Sequence, residues 1–106
     1  MSNKTKMYAT NSKVRKWLGE NGFADVHFFP HTRFIKDLHF QGQDFDGIAS
    51  IGLCLVLFQC KTNCKATKQT LLDYKALDSK YGIQCLWFNN ISKIGLEVNN
   101  GTYKTM

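Results

Sequence analysis

A run of six apolar residues, Leu53 to Phe58, is the feature that most constrains how this chain can fold. The run predicts a buried β-strand. It leads directly into Gln59, Cys60 and Lys61, and strand side chains alternate between the two faces of a sheet. Gln59 and Lys61 therefore share one face, while Phe58 and Cys60 take the other. The strand delivers an amide and an ammonium group to the same side of the sheet, at its end.

The elements around this strand predict an α/β fold. Residues 11–20 form a first helix, capped by Asn11 or Ser12, after a polar N-terminal tail of about residues 1–9. A second helix covers residues 67–81 and ends at Gly82. Its apolar face, which is expected to pack in the core, carries Leu71, Tyr74, Leu77 and Tyr81. Five strands are predicted, with a tight turn at residues 50–52 between the second and third: FADVHFF, FDGIAS, LCLVLFQCK, IQCLWFN and a weaker ISKIGLEV. The order is αβββαβ plus a short edge strand, a mixed β-sheet flanked by helices in one domain, residues 1–106.

The charge balance favours a polyanionic partner. Lysine and arginine total 14 against 8 acidic residues, which gives a net charge of +6. Nucleic acid is the partner this predicts, although a small protein can also be basic for solubility alone. Because no apolar run approaches the length of a bilayer span and the N-terminus lacks a signal peptide, we expect no membrane association. We expect a cytoplasmic protein, or one of the host-cell cytoplasm if it is viral.

The four cysteines predict free thiols in such a compartment. Cys54 and Cys85 lie inside apolar runs, which is typical of small core residues. Cys60 and Cys64 lack a second pair of ligands at the spacing of a zinc site.

A candidate site follows from the turn that joins the second and third strands. If the chain turns near residues 51–53, Asp46 lies beside Gln59. Mg²⁺ prefers oxygen ligands, which the Asp46 carboxylate, the Gln59 amide and the backbone carbonyl of Cys60 can supply. Lys61 can then orient or deprotonate an attacking water and offset the charge of a phosphate. The alternative is structural: strand ends often carry lysine, and Asp46 can simply terminate a turn.

The order FDGIAS, apolar strand, QCK and helix TKQTLLDY resembles the PD-(D/E)xK nuclease superfamily, and within it archaeal Holliday-junction resolvases and domains with a Gln-x-Lys motif. The resemblance runs from Lys13 to Asn90. It implies a restriction endonuclease-like core and a Mg²⁺-dependent DNA endonuclease in which Mn²⁺ can substitute. By this resemblance, Asp46 matches the metal-binding aspartate of the family, Lys61 matches its catalytic lysine, and Gln69 matches a glutamine that faces the site.

Two departures from the family pattern bear on activity. Gln59 stands where most members carry Glu or Asp, so the metal pocket has one negative charge fewer. The acid of the family's first helix would fall near Asn11, and Glu20 is almost three turns away. One metal rather than two, or low activity, follows from these differences.

Contacts to DNA are expected from a basic loop and from the start of the second helix. His31 and Arg33 occupy the place of a phosphate-contacting loop in resolvase-like nucleases. Lys65 and Lys68 can track phosphates without sequence preference. A solvated surface position is the alternative for each of these four residues.

Three functions from different classes are compatible with these features. The first is a DNA endonuclease; a more specific version of this hypothesis is that the enzyme selects DNA by its structure. The second is a non-catalytic nucleic-acid-binding module with a decayed nuclease site, and the third is an RNA- or protein-interaction domain. Cleavage of branched DNA would imply a homodimer, since symmetric cuts need two sites related by symmetry. The sequence does not identify the dimer surface; the apolar pairs Phe28–Phe29 and Phe34–Ile35 are the first places to look for it.

Overall fold

Two helices and seven strands make up the part of the chain that the computed structural model describes, residues 3–29, 38–40 and 42–99; the side chains of 3–8 and 38–40 lie outside this description. The helices are α1 (Asn3–Glu20) and α2 (Lys68–Tyr81). The strands are β1 (Ala24–Phe28), β2 (Leu38–Phe40), β3 (Gln43–Phe45), β4 (Gly47–Ile51), β5 (Cys54–Thr62), β6 (Gln84–Ile91) and β7 (Gly95–Asn99).

Five of the strands form one mixed sheet in the order β1-β4-β5-β6-β7. Strands β5 and β6 are parallel, and the other neighbours are antiparallel. The remaining two strands, β2 and β3, pair as a separate hairpin. The apolar run ends in β5, at the centre of the sheet, and it is buried only at Val56, Leu57 and Phe58. The prediction of a buried strand is wrong for Leu53, in the turn before β5, and for Cys54 and Leu55, since all three are exposed. The αβββαβ order is confirmed by α1, β1, β4, β5, α2 and β6.

Each face of the sheet is covered by one helix, because β5 is apolar on both faces. On one side, Val14 and Leu18 of α1 pack with Phe58. On the other side, Tyr74 and Leu77 of α2 pack with Leu57. Gln59 and Lys61 alternate with Phe58 and share the face of Leu57. The face that carries the two polar side chains is therefore the face covered by α2.

Helix α2 begins and ends at the residues that its sequence predicts. The Thr67 hydroxyl accepts a hydrogen bond from the backbone N–H of Thr70, and Gly82 has a left-handed conformation with φ 69°. The predicted apolar face is confirmed for Tyr74 and Leu77. It is wrong for Tyr81, which is 42% exposed with the Lys80 ammonium over its ring.

Helix α1 is longer than predicted. It begins at Asn3, so the expected polar tail is helical from that residue, and Asn11 and Ser12 lie within the helix instead of capping it. The cause is tertiary. Thr10 is buried, with its hydroxyl 2.7 Å from that of Thr62 and within hydrogen-bond distance of the Asn90 amide. These contacts extend the helix past the start that local capping signals suggested.

The predicted FDGIAS strand is broken at Asp46 into β3 and β4. Position 47, directly after the break, has no room for a residue larger than glycine. A Cβ there would lie 2.6 Å from the His27 carbonyl oxygen and would also meet the Phe58 ring. The turn between β4 and β5 falls at Gly52 and Leu53, within the residues 51–53 near which the chain was expected to turn. Cys54, next to this turn, is exposed, so the prediction that it is a core residue is wrong.

Of the two apolar pairs considered for a dimer surface, Phe28–Phe29 packs within the fold. Phe28 packs edge-on against Phe58, with ring centroids 5.1 Å apart, and Phe29 packs against the α2-side core. Both are half-buried within the subunit. The pair Phe34–Ile35 lies outside the described residues.

Candidate active site

Asp46 is fixed between β3 and β4, beside the end of β5. Its backbone N–H donates to the Phe58 carbonyl oxygen at 2.8 Å. Its carboxylate oxygen Oδ2 accepts from the backbone N–H of Cys60, also at 2.8 Å. The β4–β5 pairing ends at Gly47 and Phe58, so the two bonds of Asp46 hold it to Phe58 and Cys60, the residues on either side of Gln59. The carboxylate replaces a strand partner for Cys60.

Gln59 is buried, with 4% of its surface exposed, and its Oε1 atom has no hydrogen-bond partner in the structure. A buried acceptor without a partner costs roughly 1–3 kcal/mol. Such atoms in folded proteins commonly contact a water or an ion. An amide oxygen beside a carboxylate fits the oxygen-ligand preference of a hard divalent cation.

Tyr74 adds a residue that sequence reasoning assigned only to the core. It is 1% exposed and stacks on Phe45 with ring centroids 5.7 Å apart. Its hydroxyl is the second buried polar atom without a hydrogen-bond partner among the described residues. Burial raises the pKa of Tyr74 well above its ordinary value, and coulombic interactions with Cys85, Asp46 and Cys60 raise it further. The hydroxyl stays protonated and can donate a hydrogen bond toward the Asp46 side of the site.

A sequence signal for Tyr74 did exist. Tyrosine on the buried face of a helix must place its hydroxyl somewhere, and a buried hydroxyl usually has a partner. The periodicity of α2 showed that position 74 faces the sheet, but it could not show which sheet residues lie beneath the ring.

Lys61 is exposed, two residues beyond Gln59 on the same face of β5, and it pairs in register with Asn89 of β6. The chain that follows is held to β6. The Cys64 N–H donates to Asn89 Oδ1 and the Trp87 indole N–H donates to the Cys64 carbonyl, both at 2.9 Å. Lys61 therefore projects from a fixed segment at the end of β5.

Lys65 and Lys68 are both exposed on the loop and first turn that follow β5. They lie at the same end of the sheet as Lys61. His31 and Arg33, the other predicted DNA contacts, lie outside the described residues. His27 is exposed, with its ring packed edge-on against Phe29.

Gln69 is held by an acid that the sequence did not single out. Its amide donates to Asp73 Oδ1 at 2.9 Å, and the amide of Gln43 donates to Asp73 Oδ2 at the same distance. Both carboxylate oxygens of Asp73 are thus engaged by neutral amides that join α2 to β3. Gln69 is exposed, and this bond turns it toward β3, the strand that leads into Asp46.

A cation at this site would depend on few charged ligands. In the described ranges, no three His, Cys, Asp or Glu side chains gather as a metal-binding group. The four cysteines are free thiols, as predicted. The oxygens that fit a cation are those of Asp46 and Gln59, together with the Cys60 carbonyl. In a strand the N–H and C=O of a residue point to the same side, and the Cys60 N–H points at Asp46.

The chain matches no protein-family model and no curated protein. The architecture of the chain is an α/β fold with a mixed five-stranded sheet between two helices. Neither described helix has the length and apolar character needed to cross a membrane. Any functional assignment therefore rests on the geometry of Asp46, Gln59, Lys61 and Tyr74.

Proposed function

We propose that the protein is a metal-dependent DNA endonuclease of the PD-(D/E)xK type, with a Gln-x-Lys variant of the motif, that hydrolyses phosphodiester bonds. The observation that supports this best is the Gln59 amide oxygen, buried without a hydrogen-bond partner one residue along β5 from Cys60, whose N–H binds the Asp46 carboxylate. A purely structural strand end has no reason to bury an unsatisfied acceptor. A site that receives an ion or a hydrated ligand does.

Each residue has a distinct role in this proposal. Asp46, Gln59 and the carbonyl of Cys60 would hold Mg²⁺, or Mn²⁺ in its place. The bound metal would supply Lewis acidity and make a coordinated water a stronger nucleophile. Lys61 offsets the charge of the attacked phosphate and orients the water from the open side of the site. The protonated Tyr74 hydroxyl, on the sheet side of α2, would donate a hydrogen bond to a group bound in the site.

The finer features of the proposal concern substrate and assembly. Since lysines contact phosphates without reading bases, the enzyme would select DNA by structure, with branched substrates such as Holliday junctions favoured. A homodimer would then cut both strands of a junction. Gln69 would act from the rim of the site, and His31 and Arg33 would contact the backbone. A cytoplasmic location is part of the same proposal.

The test is a cleavage assay on labelled four-way junction, flap, duplex and single-stranded DNA with Mg²⁺, Mn²⁺ or EDTA. We expect metal-dependent cleavage of at least one substrate by the parent. Asp46→Asn and Lys61→Ala should each reduce it by about 10²-fold or more, because they remove a metal ligand and the charge-stabilising cation. DNA binding should survive in both variants. Lys80→Ala, an exposed change at the far end of α2, is the control and should cleave like the parent.

The second candidate is a non-catalytic nucleic-acid-binding module, and one observation favours it. Helix α1 packs on the Phe58 face of the sheet, opposite the face of Gln59, so α1 has no route to supply the acid that the site lacks. Under this hypothesis the parent and its variants all bind DNA and none cleaves. The third candidate, an RNA- or protein-interaction domain, predicts no salt-sensitive DNA binding at all.

A further inference from the structure

One end of the central sheet is rich in lysine. We define the carboxyl end as the end where the parallel strands β5 and β6 finish. The residues around it are the loop 63–67, the turn 92–94, the start of α2 and the middle of α1. Five exposed lysines lie there: Lys13, Lys61, Lys65, Lys68 and Lys93. The described acids nearest this end are Asp44, Asp46, Asp73 and Glu97, of which Asp73 is engaged by two neutral amides on the α2 side.

Lys13 lies on the side of the sheet opposite the candidate active site. Its ammonium donates to Asn90 Oδ1 at 3.1 Å, and the amide nitrogen of Asn90 donates to the buried Thr10 hydroxyl at 3.1 Å. Because Asn90 is itself 9% exposed, this pair anchors the lysine over the end of β6. The anchored ammonium keeps further N–H donors for an anion.

Lys93 lies between the two faces, in the turn that joins β6 to β7. It adopts a left-handed backbone conformation with φ 67°, which glycine or asparagine tolerates better than lysine. The turn is tied to the loop after β5 by two bonds between Asn63 and Ser92. The turn and the loop therefore form one continuous rim, with Lys65 on one part and Lys93 on the other.

We propose that this rim is a DNA-backbone surface that continues past the candidate active site, with Lys93 and then Lys13 carrying the phosphates across the carboxyl end of the sheet to the α1 side. The occupant is the phosphate backbone of the nucleic acid on the flank of the cleaved bond. Lysines bind it as point charges, so the contacts are independent of base sequence. The proposal rests on the proposed function for the identity of the polyanion, and it adds two residues that no motif marks.

The test is the salt dependence of duplex DNA binding in EDTA, where cleavage cannot contribute. Each phosphate contact contributes about 0.9 to the slope of log affinity against log salt. The double variant Lys13→Gln/Lys93→Gln should flatten the slope by about 1.8. Its matched control is Lys75→Gln/Lys80→Gln, which removes the same charge from exposed positions on α2 and should leave the slope near that of the parent. Equal flattening in both double variants would overturn the proposal, since only net charge would then matter.

A single variant separates binding from folding. Lys93→Gly relieves the left-handed strain, so its melting temperature should rise while its DNA affinity falls. A rise in melting temperature with unchanged affinity would also overturn the proposal. The outcome is distinguishable from failure of the nuclease assignment: a parent that never cleaves but shows these slopes retains the binding surface and loses only the enzyme.

Discussion

Tyr74→Phe removes one buried hydroxyl and leaves the ring that packs on Phe45 in place. In the structure this hydroxyl has no hydrogen-bond partner. A buried polar group in that state costs roughly 1–3 kcal/mol relative to an apolar replacement of the same shape. Without metal, the variant should therefore be more stable than the parent by about that amount. For a domain of this size, each kcal/mol raises the melting temperature by about 4–8 °C.

Metal should change the comparison. A ligand present at 100 times its dissociation constant stabilises the folded protein by about 2.7 kcal/mol. If the Tyr74 hydroxyl donates a hydrogen bond to a group in the metal-bound site, the parent gains the full stabilisation by metal. The variant, which lacks the hydroxyl, gains less stabilisation. The stability advantage of Tyr74→Phe should then shrink or reverse when Mn²⁺ or Mg²⁺ replaces EDTA.

Urea denaturation followed by circular dichroism, in EDTA and in saturating metal, measures both effects. Tyr81→Phe is the control, because Tyr81 lies on the same helix and is exposed. It should match the parent under both conditions. Loss of stability in EDTA for Tyr74→Phe would show that the hydroxyl has a partner, and equal metal stabilisation of parent and variant would show that it is not part of the site. Either result would refute the reasoning.

Two further predictions concern the framework of the site. Gly47→Ala should destabilise the fold by about 1–3 kcal/mol in urea denaturation, because its Cβ would lie 2.6 Å from a backbone oxygen that cannot easily move; Gly19→Ala, which has open space around it, should not destabilise. Burial, and then the charge of Asp78, raises the pKa of Cys85 from 9.0 to about 12. The unfolded thiol loses its proton first as pH rises, so stability should fall by about 1.4 kcal/mol per pH unit from about pH 9 to 12. That contribution to the slope should vanish in Cys85→Ala; an unchanged slope would contradict the assignment.

The parts of the fold that local chemistry dictates could be predicted from the sequence. The apolar residues Val56, Leu57 and Phe58 of β5 required burial on both faces and therefore a helix on each side. Thr67 and Gly82 delimited α2 because a threonine cap and a left-handed glycine act within one turn of the chain. The register of β4 on β5 followed from the turn between them, since the position of a turn fixes the register of its strands.

The rest depended on contacts between distant residues. The early start of α1 rests on Thr10, which bonds to Thr62 and Asn90 from the far side of the sequence. The hydroxyl of Tyr74 became notable only once the residues beneath it were known. The exposed Cys54 could not be told from a core cysteine, because hydropathy does not show where a strand emerges from the sheet.

The measurement that tests the central claim most directly is made on Gln59→Glu. The change puts a carboxylate into a buried position beside Asp46, where an unpaired charge is unfavourable and its pKa is driven upward. In EDTA the variant should therefore be less stable than the parent at neutral pH. A bound divalent cation would offset both charges, so metal should restore stability and bind more tightly than in the parent.

Cleavage of the four DNA substrates by Gln59→Glu, titrated with Mn²⁺ and Mg²⁺, gives the decisive comparison. The proposal predicts that half-maximal cleavage needs less metal than in the parent and that the maximal rate holds or improves. If the parent shows no metal-dependent cleavage of any substrate, and Gln59→Glu neither gains cleavage nor recovers stability on addition of metal, the site is not a nuclease centre.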